Sequence, residues 1–158
     1  MTKDSPEQAE ERDARYRTRT ADHVARYLAS DGADGFDDNS HKAPTLLLTT
    51  IGRRTGNEIV TPLYYGEHDG RYIIIASYAG SDRHPKWYLN LVANPRVQVQ
   101  IKADMCLATA RTADAEEKAA LWPIMAGAYP FYNDYLAATD RDIPLVILQP
   151  VDSHDRHH

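Results

Sequence analysis

Residues 96–102, RVQVQIK, alternate apolar and polar side chains without a break, with Val97, Val99 and Ile101 on one side and Arg96, Gln98 and Gln100 on the other. Only an extended strand, whose side chains repeat every second residue, gathers those three aliphatics onto one buried face. The same texture runs through the chain from Pro44. TLLLTTI (45–51), EIVTPLYYGE (58–67), RYIIIASY (71–78), MCLATAR (105–111) and IPLVILQ (143–149) are short β-branched or aromatic runs divided by turn residues. GRRTGN (52–57) is a turn with a glycine at its start and another near its end, Asp104 offers a second turn, and His68-Asp69-Gly70 joins two strands through a dipeptide that accepts the left-handed angles of a tight hairpin. The run 143–149 is apolar at nearly every position, the composition of a closing strand buried on both faces.

Helices fall before and between these strands. Residues 1–30 are rich in charge and lack Gly and Pro after Pro6, with Tyr16, Thr20, Val24 and Leu28 at four-residue spacing and Tyr27 beside them, which predicts a surface helix with a thin apolar stripe. The acidic, glycine-containing DGADGFDDN (31–39) ends it. Pro85 sits well in the first turn of a helix over 85–93 that Asn94-Pro95 terminates. Asp114, three residues before Glu117, has the form of a capping box at the head of a helix that Pro123 is expected to shorten or kink, and a further short helix is expected near 131–138. About six strands with interspersed helices in roughly 110 residues predict a mainly β, α+β fold, a small closed or split β-barrel. The expected organisation is an N-terminal helix and acidic linker at 1–40, the barrel domain at 41–150 and a tail at 151–158.

At 158 residues the chain suits one domain with a sizeable core. No apolar run exceeds about seven residues, against the roughly 20 that a membrane helix needs, so no transmembrane segment is expected. The start, MTKDSPEQAEERD, lacks the form of a secretory signal, and the lone Cys106 excludes an intramolecular disulfide and a cysteine metal cluster. Both fit a cytoplasmic protein, with peripheral contact at a membrane left open. HExxH, CxxC, GxSxG, Walker and GxGxxG motifs are absent and the seven His have no ligand spacing, so no metal is expected. A Ser-His hydrolase would have to pair Ser77 or Ser81 with His84 or His68, outside any nucleophile-elbow context. The net charge of −5 argues against a nucleic-acid partner, but it is unevenly spread: counting Lys and Arg against Asp and Glu gives 0 over 1–20, −4 over 21–40, +4 over 41–102 and −5 over 103–158. A basic island in an acidic chain fits an anionic small ligand, and equally a chance clustering of surface charge.

Three groups of residues stand out. In GRRTG (52–56) the glycines let main-chain N–H groups approach an anion, while Arg53 and Arg54 offer bidentate bonds and Thr55 a hydroxyl; the same residues suit a solvated hairpin. Ten tyrosines against two phenylalanines exceed what core packing favours, because a buried phenol needs a partner. Tyr129, Tyr132 and Tyr135, three apart, share a face if their segment is helical, where they either stack on a flat ligand and offer a proton or rim a core. In HPKWYLNL (84–91), Trp87 and Leu91 face a core, whereas Lys86 and Asn90, with Arg83 ahead of them, point to a ligand at the helix mouth.

Taken in order, LLLTTIGRRTGNEIVTPLYYGEHDGRYIIIASYAGSDRHPKWYLNLVANPRVQVQI and LWPIMAGAYPFYNDYLAATDRDIPLVILQP closely resemble the deazaflavin-dependent nitroreductase family of actinobacteria, over roughly residues 44–150. The resemblance implies a split β-barrel of the flavin-reductase and pyridoxamine-phosphate-oxidase kind that binds coenzyme F420, an 8-hydroxy-5-deazaflavin with a phospholactyl and oligoglutamate tail. It implies Arg53, Arg54 and Thr55 on the phosphate and tail, Ile75, Ala76 and Ser77 along the ring, and Lys86, Trp87, Tyr88, Leu89 and Asn90 beside it. It also implies a substrate pocket of Tyr64, Tyr129, Tyr132 and Tyr135 with Ser77 near the reacting group, Tyr132 being the foremost proton donor. Ile59 stands where relatives often carry Arg, and Tyr78 where Lys is common, so the resemblance implies a tail that is either held more weakly or held by Arg83 and Lys86.

The expected activity is F420-dependent oxidoreduction: hydride passes from reduced deazaflavin to a quinone, an activated alkene or a nitroaromatic compound, and a phenol supplies the proton. Such an enzyme needs a separate F420-reducing dehydrogenase as the source of reduced cofactor and is compatible with a homodimer. The alternatives are a flavin-mononucleotide (FMN) reductase on the same barrel and a non-catalytic deazaflavin carrier.

Overall fold

The computed structural model describes residues 5–37, 42–77 and 84–151. Chain order is α1 (Pro6–Ser30), β1 (Thr45–Ile51), β2 (Glu58–Tyr64), β3 (Gly66–His68), β4 (Arg71–Ile75), α2 (Lys86–Ala93), β5 (Arg96–Ile101), β6 (Asp104–Thr112), α3 (Ala115–Ala128), α4 (Phe131–Ala137) and β7 (Leu145–Pro150). Tyr78, Ser81 and Arg83 lie outside the described residues, as do Asn39 and the tail from residue 152.

All strand pairs are antiparallel, in the order β2-β1-β5-β6-β7-β4-β3. The two edges of this sheet, β2 and β3, are neighbours in the chain with only Tyr65 between them. A sheet whose opposite edges belong to one continuous segment has to curl round on itself, and the result is a split β-barrel. The run EIVTPLYYGE is therefore two strands rather than one. Its first part pairs with β1, Glu58 to Ile51 and Tyr64 to Thr45, and its second with β4, Gly66 to Ile73 and His68 to Arg71. Carrying the second register back by two residues brings Tyr64 level with Ile75. From there β2 follows β1 toward Glu58 while β4 runs on to Ser77, and the barrel is open between them.

Alternation along the strands sorts two cores onto opposite faces of the sheet. Inside the barrel lie Leu46, Leu48, Tyr65, Ile74, Val97, Val99, Ala108, Ala110, Val146 and Leu148, closed by Trp87 and Leu91 of α2. On the outer face Ile73, Ile75, Leu145 and Ile147 pack against Leu121 and Met125 of α3 and Tyr132 of α4. β7 contributes to both, which is why its sequence carries almost no polar residue. The close seating of α3 needs Gly66, where a Cβ would stand 2.8 Å from the Met125 sulfur.

Local chemistry sets the turns and caps. Asp69 and Gly70 have φ of 53° and 75°, the paired left-handed angles of a tight hairpin. The β5–β6 turn is Lys102-Ala103, with Lys102 at φ 56°, so Asp104 is already in the strand and paired with Ile101. The Asp114 carboxylate accepts from the Glu117 N–H at 2.8 Å and Glu117 Oε1 from the Asp114 N–H at 3.2 Å, completing the capping box. Pro123 does not shorten α3, which continues to Ala128. Pro123 and Ala119, whose carbonyl loses its helical donor there, are both exposed, so the missing bond falls on the solvent side of the helix rather than in the core.

The buried side of α1 is rotated from the expected stripe. Tyr27 is wholly buried while Leu28 is 49% exposed, and the inward face is Thr20, His23, Val24 and Tyr27; the Tyr16 side chain lies outside the described set. The reason is a polar anchor: Tyr27 Oη donates to the Thr45 carbonyl at 3.0 Å and accepts from the Lys102 N–H at 2.7 Å, tying α1 to the ends of β1 and β5.

Candidate functional site

The β1–β2 turn is built from its own polar groups. The Gly52 N–H donates to the Asn57 carbonyl and the Gly56 N–H to the Gly52 carbonyl, both at 2.8 Å, and Thr55 Oγ1 accepts from the Asn57 N–H at 3.2 Å. Asn90, buried in α2, fastens this turn to the helix: its Oδ1 accepts from the Arg53 N–H and Nη1, each at 3.2 Å, and its Nδ2 donates to Thr50 Oγ1 at 3.3 Å. Arg53 and Arg54 both lie at the exposed tip, and Lys86 is exposed at the start of α2. Arg53 is thus held at a fixed place by a neutral partner rather than by a carboxylate.

Ile75, Ala76 and Ser77 are buried where β4 runs past the end of its pairing with β7. The Ala76 N–H donates to the Pro144 carbonyl at 3.0 Å. Arg141, in the connection from α4 to β7, donates from Nη1 to the Ala76 carbonyl at 3.1 Å and from Nη2 to the Ser77 carbonyl at 2.6 Å. Its Nη1 also lies 2.7 Å from His84 Nδ1. An arginine only donates, so Nδ1 carries the lone pair, and burial together with the Arg141 charge pushes the His84 pKa down. The His84 ring lies 5.0 Å from that of Tyr88, whose hydroxyl is 2.9 Å from Thr112 Oγ1. Trp87 is a core residue of the barrel interior, and Leu89 is half-buried.

The four tyrosines converge. Tyr64, on the outer face of β2, has its ring 6.0 Å from Tyr129 and 6.2 Å from Phe131. Tyr132 lies 6.2 Å from both Tyr129 and Tyr135 and 4.6 Å from Phe131. Burial raises the pKa of Tyr64, Tyr129 and most of all Tyr132, so each is a neutral, proton-bearing phenol at neutral pH. Sequence spacing grouped Tyr129, Tyr132 and Tyr135 and the family resemblance added Tyr64, but neither singled out Phe131 or Trp122, which packs 6.5 Å from Tyr132 with its Nε1 donating to Asn133 Oδ1 at 2.9 Å. It also missed Arg141, because the segments it binds lie 57–65 residues away and no local pattern marks it.

The parting of β2 and β4 therefore has a basic turn with an oriented arginine along one border, buried strand-end backbone along the other, and a phenol cluster at its apex. This donor set fits a flat ring with an anionic tail. A family model described as F420H(2)-dependent quinone reductase matches residues 12–150. The chain belongs to that family. The match begins inside α1, well ahead of the 44–150 that the motifs span. A Mycobacterium tuberculosis H37Rv protein named F420H(2)-dependent quinone reductase is 36% identical over 133 residues, covering 80% of this chain and 86% of that protein. A solved F420-H2 dependent reductase, FDR-A, is 39% identical with a TM-score of 0.63, covering 67% of this chain and 94% of that one. A further solved chain, described as a domain-swapped dimer, is 33% identical with a TM-score of 0.66, covering 86% and 98%. Membership of the quinone reductase family makes this an F420-dependent oxidoreductase by family, with F420 as its cofactor. No helix among the described residues is long and apolar enough to cross a membrane.

Proposed function

We propose that this chain binds F420H2 in the parting of β2 and β4 and reduces a quinone at the tyrosine cluster. The observation that carries this reading is the convergence of Tyr64 from β2 with Tyr129, Tyr132 and Tyr135 at the point where the barrel opens. Reduced F420, when bound, supplies the hydride. Arg53, Arg54 and Thr55 bind the anionic tail, with Lys86 extending the basic border. Ile75, Ala76 and Ser77 flank the ring on one side and Tyr88, Leu89 and Asn90 on the other, with Trp87 as the packed floor beneath. The tyrosines exclude water and seat the acceptor, and Tyr132 holds at Oη the proton that the reduced acceptor takes up. The same chemistry extends to other electron-poor acceptors, nitroaromatic compounds and activated alkenes, provided they stack on the phenols.

The reduced cofactor comes from a separate dehydrogenase. The relative described as a domain-swapped dimer supports a homodimer. Following the reoxidation of F420H2 with a panel of quinones, enones and nitro compounds tests the reading. Turnover with quinones supports it; no turnover with any acceptor, or equal binding of FMN, overturns it.

A further inference from the structure

The end of β4 has a structural problem that the sheet does not solve. Pairing with β7 stops at Ile75 opposite Leu145, yet the chain continues as buried backbone through Ala76 and Ser77. Among the described residues their carbonyls have no ladder partner, and a buried carbonyl without a donor is costly. Arg141 takes the place of the missing strand. Its planar fork reaches the Ala76 carbonyl at 3.1 Å and the Ser77 carbonyl at 2.6 Å, and the same guanidinium meets His84 Nδ1 at 2.7 Å. One side chain thereby spans the exit of β4 and the residue two before α2. The connection carrying it is itself pinned: the Arg141 N–H donates to Thr139 Oγ1 at 3.2 Å, Lys118 Nζ to Asp142 at 2.6 Å, and the Pro144 carbonyl accepts from Ala76. A lysine would supply the charge without the fork.

We propose that Arg141 is a positioning residue of the reductase site, setting the end of β4 and the entry to α2 at the separation the deazaflavin requires. The inference rests on the reading that F420 lies between these segments. It also links the two halves of the site, because Arg141 lies four residues beyond the end of α4, which carries Tyr132 and Tyr135. His84 takes part only as a neutral acceptor, which its depressed pKa supports.

The test is a fluorescence titration with F420 of the full chain and of Arg141→Lys, Arg141→Ala and His84→Leu, each with its melting temperature. The unaltered protein is the control: if it does not bind F420, the functional reading fails whatever Arg141 does. If it binds, Arg141→Lys should raise Kd about tenfold, the scale of a lost charge-assisted hydrogen bond, with kcat at saturating F420H2 falling by less. Methylguanidinium should restore binding to Arg141→Ala, a rescue that a general loss of stability would not allow. Unchanged Kd in Arg141→Lys, or weakened binding in Arg141→Ala that methylguanidinium does not recover, overturns the proposal. If the Arg141 variants do not fold, His84→Leu decides: weaker F420 binding at an unchanged melting temperature supports the tie, and unchanged binding overturns it.

Discussion

Asn90 Oδ1 accepts two hydrogen bonds from one residue, the main-chain N–H and Nη1 of Arg53, each at 3.2 Å. Asn90, which family resemblance sets beside the cofactor, thus also holds the arginine in place without neutralising it. Asn90→Asp should separate these two roles. A carboxylate still accepts both bonds and Thr50 can turn its hydroxyl to donate, so the fold should persist, but the pair would cancel the Arg53 charge. F420 affinity should fall about tenfold or more while the melting temperature holds. If affinity is unchanged in a fluorescence titration, Arg53 has no part in the anion site.

Replacing both Arg53 and Arg54 with Ala removes the oriented and the exposed cation together. F420 binding should weaken by a few kcal/mol, on the order of lost charge-assisted hydrogen bonds, and its dependence on salt should flatten. Unaltered affinity at low and high salt would leave the turn as a solvated hairpin.

Local rules made most of this fold legible. The Asp69-Gly70 hairpin and the Asp114–Glu117 box each depend on residues within a few positions and appear in the structure where the sequence puts them, and β5 keeps its predicted alternation through Val99, beyond which Gln100 is buried and Ile101 only half-buried. What local rules miss is decided at long range. Tyr27 rather than Leu28 is buried because its hydroxyl bonds the backbone of Thr45 and Lys102, a preference that helical spacing alone does not record. The run 58–68 divides at Tyr65 because its partner changes from β1 to β4, and nothing in its own residues says so. The site follows the same pattern: tyrosines three apart were visible, whereas Arg141, Phe131 and the approach of Tyr64 depend on how the barrel closes.

The head of α3 should be acid-sensitive. The Arg111 guanidinium bonds both Glu117 oxygens at 2.6 Å, and with the Asp114 N–H it holds the carboxyl at about 2, below its ordinary 4.5. A depressed folded pKa means the contribution is fully present above the unfolded value and is lost as pH falls from about 4.5 toward 2. Glu117→Gln should therefore melt below the unaltered protein at neutral pH, and the difference should close as the pH is lowered through that window. A gap that stays constant down to the acid limit would mean that the pair does not set the cap's stability.

Tyr132 is 5% exposed, no hydrogen bond holds its hydroxyl among the described residues, and burial raises its pKa. Those facts make Tyr132→Phe an unusually clean test. The ring keeps its contacts with Phe131, Tyr129 and Tyr135, no partner is orphaned, and the melting temperature should hold or rise slightly. If Oη delivers the proton to the reduced quinone, kcat should fall by roughly 10²–10⁴-fold with F420 affinity little changed. The raised pKa adds a second signature. Ionisation of this phenol lies above the ordinary tyrosine value of about 10, so the rate of the unaltered enzyme should show no loss assignable to it between pH 6 and 9. Near-normal turnover of Tyr132→Phe on the best quinone would leave the residue a packing element and pass the proton to Tyr64, Tyr129, Tyr135 or Ser77, each of which the corresponding Phe or Ala replacement would then identify.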